Sequence, residues 1–145
     1  NVAYRGELAA CRVLYSRDWE FQEQKQYAEA YPEALRKALI GFFAFEAGFS
    51  CDLAEKYLSR GDRCYLAGLA FRAVSAMNQT LFATNRQWLL NEKKAIFRID
   101  GFEKKPANYS ERINEIFQIL GSNPIEGLSL MKKLCGETQA LCEAV

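Results

Sequence analysis

The 145-residue chain contains no histidine, and that absence excludes more chemistry than any other feature of its composition. Without an imidazole there is no Ser/His/Asp or Cys/His nucleophile system and no histidine-dependent nuclease. The five cysteines, Cys11, Cys51, Cys64, Cys135 and Cys142, include no CxxC pair, so the usual zinc ligand sets are missing as well. Their odd number and scatter read as reduced, mostly buried thiols of a cytoplasmic protein. No GxxxxGK(S/T) phosphate loop and no GxGxxG is present, which leaves nucleotide binding, if there is any, to be shared with another domain. Long apolar runs are lacking too. The longest, residues 38–49, is broken by Glu46 and falls short of the ~18 residues a membrane span needs. No membrane segment and no signal peptide is expected.

Charge of one sign is also absent in excess, because 19 Lys and Arg stand against 18 Asp and Glu. A polyanion binder would show a basic bias, so nucleic acid is not an expected partner. Half of the residues are apolar and only three are proline, which fits one folded domain with an ordinary core. Whatever chemistry survives must rest on carboxylates, lysines, arginines and amides.

What is there is helical periodicity. Residues 1–18 are ambiguous, since Ala9-Ala10-Cys11-Arg12-Val13-Leu14-Tyr15 reads as a short strand or a helical turn. Residues 19–30 suit a short connecting helix, and Pro32 opens a long helix to about residue 59. On it Leu35, Leu39, Phe42, Phe49 and Leu53 form one stripe, while Gly41 and Gly48, seven apart, would let a neighbouring helix approach. Gly61 is the left-handed stop and Asp62 the N-cap of the next helix, predicted over residues 63–90, with Ala70, Val74, Met77, Leu81 and Trp88 along its apolar centre. Phe71, Phe82 and Leu89 widen that face, as burial between several helices requires. A short helix is expected at 91–97 and a loop at 99–107. Asn108 with Glu111, and Asn123 with Glu126 beside Pro124, read as capping boxes opening helices over 109–120 and 124–144. The expected fold is all-α: an antiparallel, up-and-down bundle of four main helices plus short connecting helices.

Several side chains stand out against this frame. Glu46 interrupts an apolar stripe, so it needs an ion pair, to Arg72 or a hydrogen bond to an asparagine, or else faces a cleft where it can act as a base. Asn78 and Asn85 lie at the edge of the broad apolar face, as interhelical hydrogen bonds or as ligand contacts. Arg72, Gln79 and Arg86 form a stripe beside Ser75, Ala76 and Ala83. It is a solvated face on an isolated bundle, and a phosphate groove if another domain packs there. Lys93 and Lys94, in Asn91-Glu92-Lys93-Lys94, could meet a triphosphate as point charges.

The runs Ser59-Arg60-Gly61-Asp62, Phe71-Arg72-Ala73-Val74, Leu81-Phe82-Ala83-Thr84-Asn85-Arg86 and Asn91-Glu92-Lys93, in this order, resemble the C-terminal helical region of bacterial nucleotidyltransferase-like proteins. These are related to the kanamycin nucleotidyltransferase and DNA polymerase β superfamily. Tyr31-Pro32-Glu33-Ala34-Leu35 and the segment from Gly6-Glu7-Leu8 to Tyr15 are similar to that branch as well, the latter as the last strand of a catalytic domain. The resemblance implies that residues 1–30 are a remnant of, or a linker from, an upstream catalytic domain. Residues 31–145 would then be the substrate-binding helical bundle, and a start at Asn1 rather than methionine fits a processed or truncated product. The Gly-Ser turn and Asp-x-Asp pair of that catalytic domain are not in this chain. Alone it is expected to be inactive and to bind no cofactor; nucleoside triphosphate and Mg2+ belong to the complete enzyme. The expected partners are the catalytic domain, fused or separate, a small-molecule acceptor, and a second copy of the chain in a homodimer. Lys93 is the implied triphosphate lysine, with Arg72, Asn78, Asn85 and Arg86 as nucleotide or substrate contacts and Glu46 as the candidate base. The competing expectation is a non-catalytic interaction module, such as one half of a toxin–antitoxin-like pair.

Overall fold

The computed structural model describes residues 2–143. Every regular element among them is helical: α1 (Val2–Ala10), α2 (Glu20–Glu29), α3 (Glu33–Tyr57), α4 (Arg63–Thr84), α5 (Ala95–Ile99), α6 (Tyr109–Ser122) and α7 (Pro124–Glu143). The all-α expectation therefore holds, and no described helix is long and apolar enough to cross a membrane. The last helix is predicted to reach Ala144, which lies outside the described residues.

The centre of the molecule is the hairpin of α3 and α4. A 3-10 turn, Leu58–Arg60, leads into Gly61 at φ 71°, and the Asp62 carboxylate accepts the Tyr65 backbone N–H at 2.9 Å. Both residues do what their types favour: glycine tolerates the left-handed turn, and aspartate caps an exposed helix donor. The buried face of α3 is made of Leu39, Ala47, Ser50, Cys51 and Ala54, spaced as one helical stripe. Of these, Ala47, Cys51 and Ala54 share one core cluster with Ala70, Ala73, Val74 and Met77 of α4, while Leu39 packs with Tyr31 and Ala83.

This corrects the expected stripe of α3. Leu39 is buried and Leu35 and Leu53 are half-buried against the core, but Phe42 and Phe49 are 62% and 45% exposed, and Phe45, outside that stripe, is 68% exposed. Close approach of two backbones selects alanine, serine and cysteine for the seam and turns the bulky rings outward. Gly41 also plays no part in that approach, since a Cβ there would meet nothing within 4 Å, whereas one at Gly48 would lie 3.0 Å from the Gln139 amide nitrogen on α7.

Helix α4 is the axle, with α3, α5, α6 and α7 all packed on it. From Ala76 to Thr84 nearly every residue is buried. It ends six residues before the predicted residue 90. Arg86 takes the left-handed conformation at φ 54°, with its N–H on the Ala83 carbonyl at 3.1 Å and the Gln87 N–H on the Phe82 carbonyl at 2.8 Å. That is the Schellman pattern with an arginine where glycine is usual. Trp88 and Leu89 consequently belong to an irregular segment, not to α4.

The strand alternative for residues 9–15 is overturned, because Val2–Ala10 is helical and residues 11–19 are irregular. Gly6 brings α1 against the irregular segment after α4: a Cβ there would lie 2.8 Å from Trp88 Cβ and 2.6 Å from Leu90 Cδ2. Lys25 of α2 donates to the Ala9 carbonyl at 3.1 Å and holds the two short helices together. The 91–97 helix appears later, as α5. Of the two expected capping boxes, the one at Asn123 forms in part: its side-chain oxygen accepts the Glu126 N–H at 3.3 Å, while the Glu126 carboxylate takes the Asn123 side-chain NH2 at 2.9 Å and the Asn123 backbone N–H goes to the Ile119 carbonyl. Asn108 instead sits at φ 51° without a side-chain cap, and Asp100 accepts the Ser110 N–H at 3.1 Å in its place. The thiols are only partly as expected: Cys51 and Cys135 are buried, Cys11 and Cys142 half-buried and Cys64 exposed.

Two substitutions probe this packing. Ser50 Oγ is buried without a hydrogen-bond partner, so Ser50→Ala should raise stability by about 0.5–1.5 kcal/mol. An unchanged or lower denaturation midpoint would contradict the tight, dry seam. At Gly127 a Cβ would stand 2.9 Å from the backbone N and Cα of Leu120. Gly127→Ala should lower stability by a net ~1–2 kcal/mol, the clash exceeding the gain in helix propensity, as thermal unfolding would show.

Candidate functional site

Three surface depressions surround the C-terminal half of α4 and the segment that follows it. The first, about 340 Å³, runs between α3 and α4 and is closed at one end by Leu89 and Glu92. Glu46 and Arg72 face each other across it as an ion pair, with the Glu46 side chain 17% and the Arg72 side chain 49% exposed. The Arg72 guanidinium also lies 5.8 Å from the Phe49 ring centroid. Ser75, Ala76 and Gln79 form the floor. The carboxylate that broke the apolar run thus has the arginine partner its sequence context calls for. The pair opens on a groove as well, so the structural role and a chemical one occupy the same place.

The second depression, about 350 Å³, lies between α4, α5 and α6 and is more apolar, with Phe71, Phe97 and Phe117 among its walls. Asn78 is at its base. This residue is 4% exposed and its carbonyl oxygen accepts the Tyr109 hydroxyl at 2.9 Å. Burial pushes the Tyr109 phenol well above its usual range, which keeps it protonated and donating. Glu92 and Lys94 stand at the mouth, and Ser75 and Glu92 line both this depression and the first.

The third, about 280 Å³, is roofed by Gly6, Ala9 and Ala10 of α1 over Trp88 and Leu90, with Arg86 and Arg98 among its walls. Its geometry is set by a charge network at the start of α3. The Glu33 carboxylate takes three hydrogen bonds from buried Arg36 at 2.9–3.2 Å and one from Arg86 at 2.6 Å. Tyr31, in the left-handed region at φ 51°, stacks on Trp88 with ring centroids 4.1 Å apart. Burial raises its phenol to about 12. The two strained residues, Tyr31 and Arg86, lock the entry of α3 to the exit of α4.

The structure therefore separates the predicted site residues. Glu46 and Arg72 come together. Asn78 belongs to the neighbouring groove. Arg86 is held by Glu33 in the third cleft. The Asn85 amide is fully engaged in local structure, donating to the Leu81 and Lys104 carbonyls at 2.7 and 2.8 Å and accepting the Lys104 N–H at 3.0 Å. Lys93 lies exposed on the turn, its N–H on the Asn91 side chain at 3.0 Å, while Lys94 lines the second groove. Sequence reading missed Glu33, Arg36 and Arg98. A glutamate and an arginine three apart in the first turn of α3 signal a helix pair, but nothing local points to Arg86 fifty-three residues on. Among the described residues no three His, Cys, Asp or Glu side chains converge to hold a metal ion.

An all-helical domain with a charged groove beside an aromatic one is the class these observations define. The sequence model of the family described as Domain of unknown function (DUF4037) matches residues 6–93, and the chain belongs to that family. No curated protein and no solved structure matches it. The matched span holds the C-terminal part of α1, all of α2, α3 and α4, and the whole lining of the first groove.

Hydrogen bonds from Arg36, together with the one from Arg86, hold the Glu33 carboxyl down at about 2 against an ordinary 4.5. A carboxyl lowered on folding contributes stability above its unfolded value and loses it as pH falls through its folded value. The stability–pH slope between pH 4.5 and 2 should therefore be shallower in Glu33→Gln than in the parent, measured by denaturant midpoints. Parallel slopes would show that the network does not discriminate folded from unfolded chain.

Proposed function

We propose that the chain is the helical, substrate-binding region of a nucleotidyltransferase-like protein. It closes over nucleotide and acceptor while a catalytic domain, fused or separate, supplies the Gly-Ser turn and the metal-binding aspartates. In this reading α3, α4, α6 and α7 act as an up-and-down antiparallel bundle, and α1 and α2 connect to the catalytic domain. The observation that carries the reading is the Glu46–Arg72 pair in a groove flanked by exposed Phe42 and Phe49. An apolar surface beside a charged groove is what a domain sharing its site with a partner presents. A guanidinium has five donors and Glu46 occupies only part of them, so Arg72 retains N–H groups for phosphate oxygens.

Nucleoside triphosphate with Mg2+ is the substrate this reading expects. With no convergent carboxylate cluster among the described residues, the Mg2+ ligands are assigned to the catalytic domain. This chain's own contribution is to bind and orient. Arg72 holds an oxygen of the triphosphate or the acceptor, Glu46 orients Arg72 or accepts the acceptor's hydroxyl proton, and Lys93, exposed at the edge, reaches toward the triphosphate. The exposed phenylalanines of α3 also support a second reading, a non-catalytic interaction module that binds a protein partner through that ridge.

The test is nucleotidyl transfer by the full-length gene product with α-labelled nucleoside triphosphates and Mg2+. Arg72→Ala should lower kcat/KM about tenfold or more, the loss of a charge-assisted hydrogen bond. Glu46→Gln separates its two roles: a base loses on the order of 100-fold in kcat, whereas a structural pair loses about 0.5–1 kcal/mol of stability at unchanged turnover. A full-length product that neither binds nucleotide nor transfers it, yet holds a partner through Phe45, would overturn the first reading in favour of the second.

A further inference from the structure

The aromatic groove between α4, α5 and α6 contains a polar group that the fold itself leaves unused. The Asn78 carbonyl oxygen is committed to the Tyr109 hydroxyl at 2.9 Å. Tyr109 is fully buried, and the reverse arrangement, with the amide donating, would strand its hydroxyl proton in the core. The orientation of the amide is thereby fixed. Its NH2 turns away from Tyr109, on a side chain that lines the groove, and has no hydrogen-bond partner in the protein. The nitrogen is also absent from the sealed, unpaired side-chain atoms, of which Ser50 Oγ is the one among the described residues. It is therefore reachable from the groove. A donor on a nearly buried side chain calls for an acceptor.

The surroundings specify the kind of molecule that would bring one. Phe71, Phe97 and Phe117 are exposed rings on three different helices around the same depression of about 350 Å³. Aromatic walls favour a flat ring, by stacked or edge-on contact. At the mouth Glu92 and Lys94 oppose each other in sign, and neither forms an ion pair, so the entrance selects for no net charge. Apolar walls with one convergent donor are the usual composition of a small-molecule site.

We infer that this groove binds a flat, uncharged aromatic molecule carrying a carbonyl oxygen, as in a lactam or an aryl amide, with the ring among Phe71, Phe97 and Phe117 and the oxygen on the Asn78 NH2. The site uses this chain's residues alone, so it stands or falls independently of the nucleotidyltransferase reading.

The test titrates the full 145-residue chain, labelled with 15N, with oxindole and with indoline, which has the same bicycle with CH2 in place of the carbonyl. Oxindole should bind saturably with Kd on the order of 1 mM, as expected of so small a probe, shifting the Asn78 side-chain NH2 and the Phe97 amide. Indoline should bind about tenfold more weakly. Phe97→Ala, an exposed change that leaves the Asn78–Tyr109 bond intact, should weaken oxindole several-fold without altering the rest of the spectrum. Asn78→Asp, which keeps the acceptor for Tyr109 and removes the donor, should abolish the preference for oxindole. Equal affinities for the two probes, shifts that map elsewhere, or no saturation would overturn the proposal. So would protection of Phe71 and Phe97 that depends on protein concentration, because a second copy would then be the occupant.

Discussion

Close backbone approach between α3 and α4 is the constraint on which the rest of the structure depends. The seam admits Ala47, Ser50, Cys51 and Ala54 on one side and Ala70 and Ala73 on the other. Small side chains bury little apolar area each, so the hairpin by itself is a modest source of stability. Its value is geometric: it leaves α4 accessible on its other sides, where the larger residues do the burying. Met77, Leu81 and Phe82 pack with Ile113, Ile116, Met131 and Leu134 from α6 and α7. The bulky rings of α3, with no place in the seam, become the exposed ridge beside the Glu46–Arg72 groove. The surface that invites a partner is thus a direct result of how tightly the interior pair is closed.

Much of this was legible in the sequence, and the parts that were not have physical reasons. Gly61 and Asp62 announce the hairpin because their types act locally: one tolerates positive φ and the other caps. Asn123, Glu126 and Pro124 announce α7 for the same reason. The register of α3 was misread because hydrophobicity ranks phenylalanine above alanine, while a close helix contact ranks them the other way. The end of α4 was invisible because Arg86 adopts a conformation that the sequence offers no glycine to mark. That conformation is maintained from a distance, by Glu33 and by the stacking of Tyr31 on Trp88. Pairings across fifty residues have no local signature. The capping box at Asn108 failed for a similar reason: Asp100, eight residues earlier, already satisfies the Ser110 N–H.

The site was legible in part for the same reason. Glu46 in an apolar run demanded a cation, and Arg72 supplies it, because an unpaired carboxylate there would be unfavourable whatever the protein does. Asn85 was singled out by the same reasoning, and its amide closes the loop that carries Lys104. Burial of a polar group predicts that it has a partner and leaves open whether that partner is the protein or a ligand. Asn78 is instructive because only one half of its amide is accounted for by the fold.

The family match ends at residue 93, just before the irregular segment gives way to α5, and the packing gives that boundary meaning. Residues 6–93 contain the C-terminal part of α1 and all of α2, α3 and α4 and form the first groove completely, yet they leave the outward face of α4 uncovered. Leu81 and Met77 are fully buried only because α6 and α7 lie over that face. The second groove also depends on residues beyond the match, since its walls come from α4 on one side and α5 and α6 on the other. Residues 94–143 thus do two things at once. They complete the core of α4, and they bring Phe97 and Phe117 opposite Phe71 around an amide whose free donor the matched segment alone would expose to water.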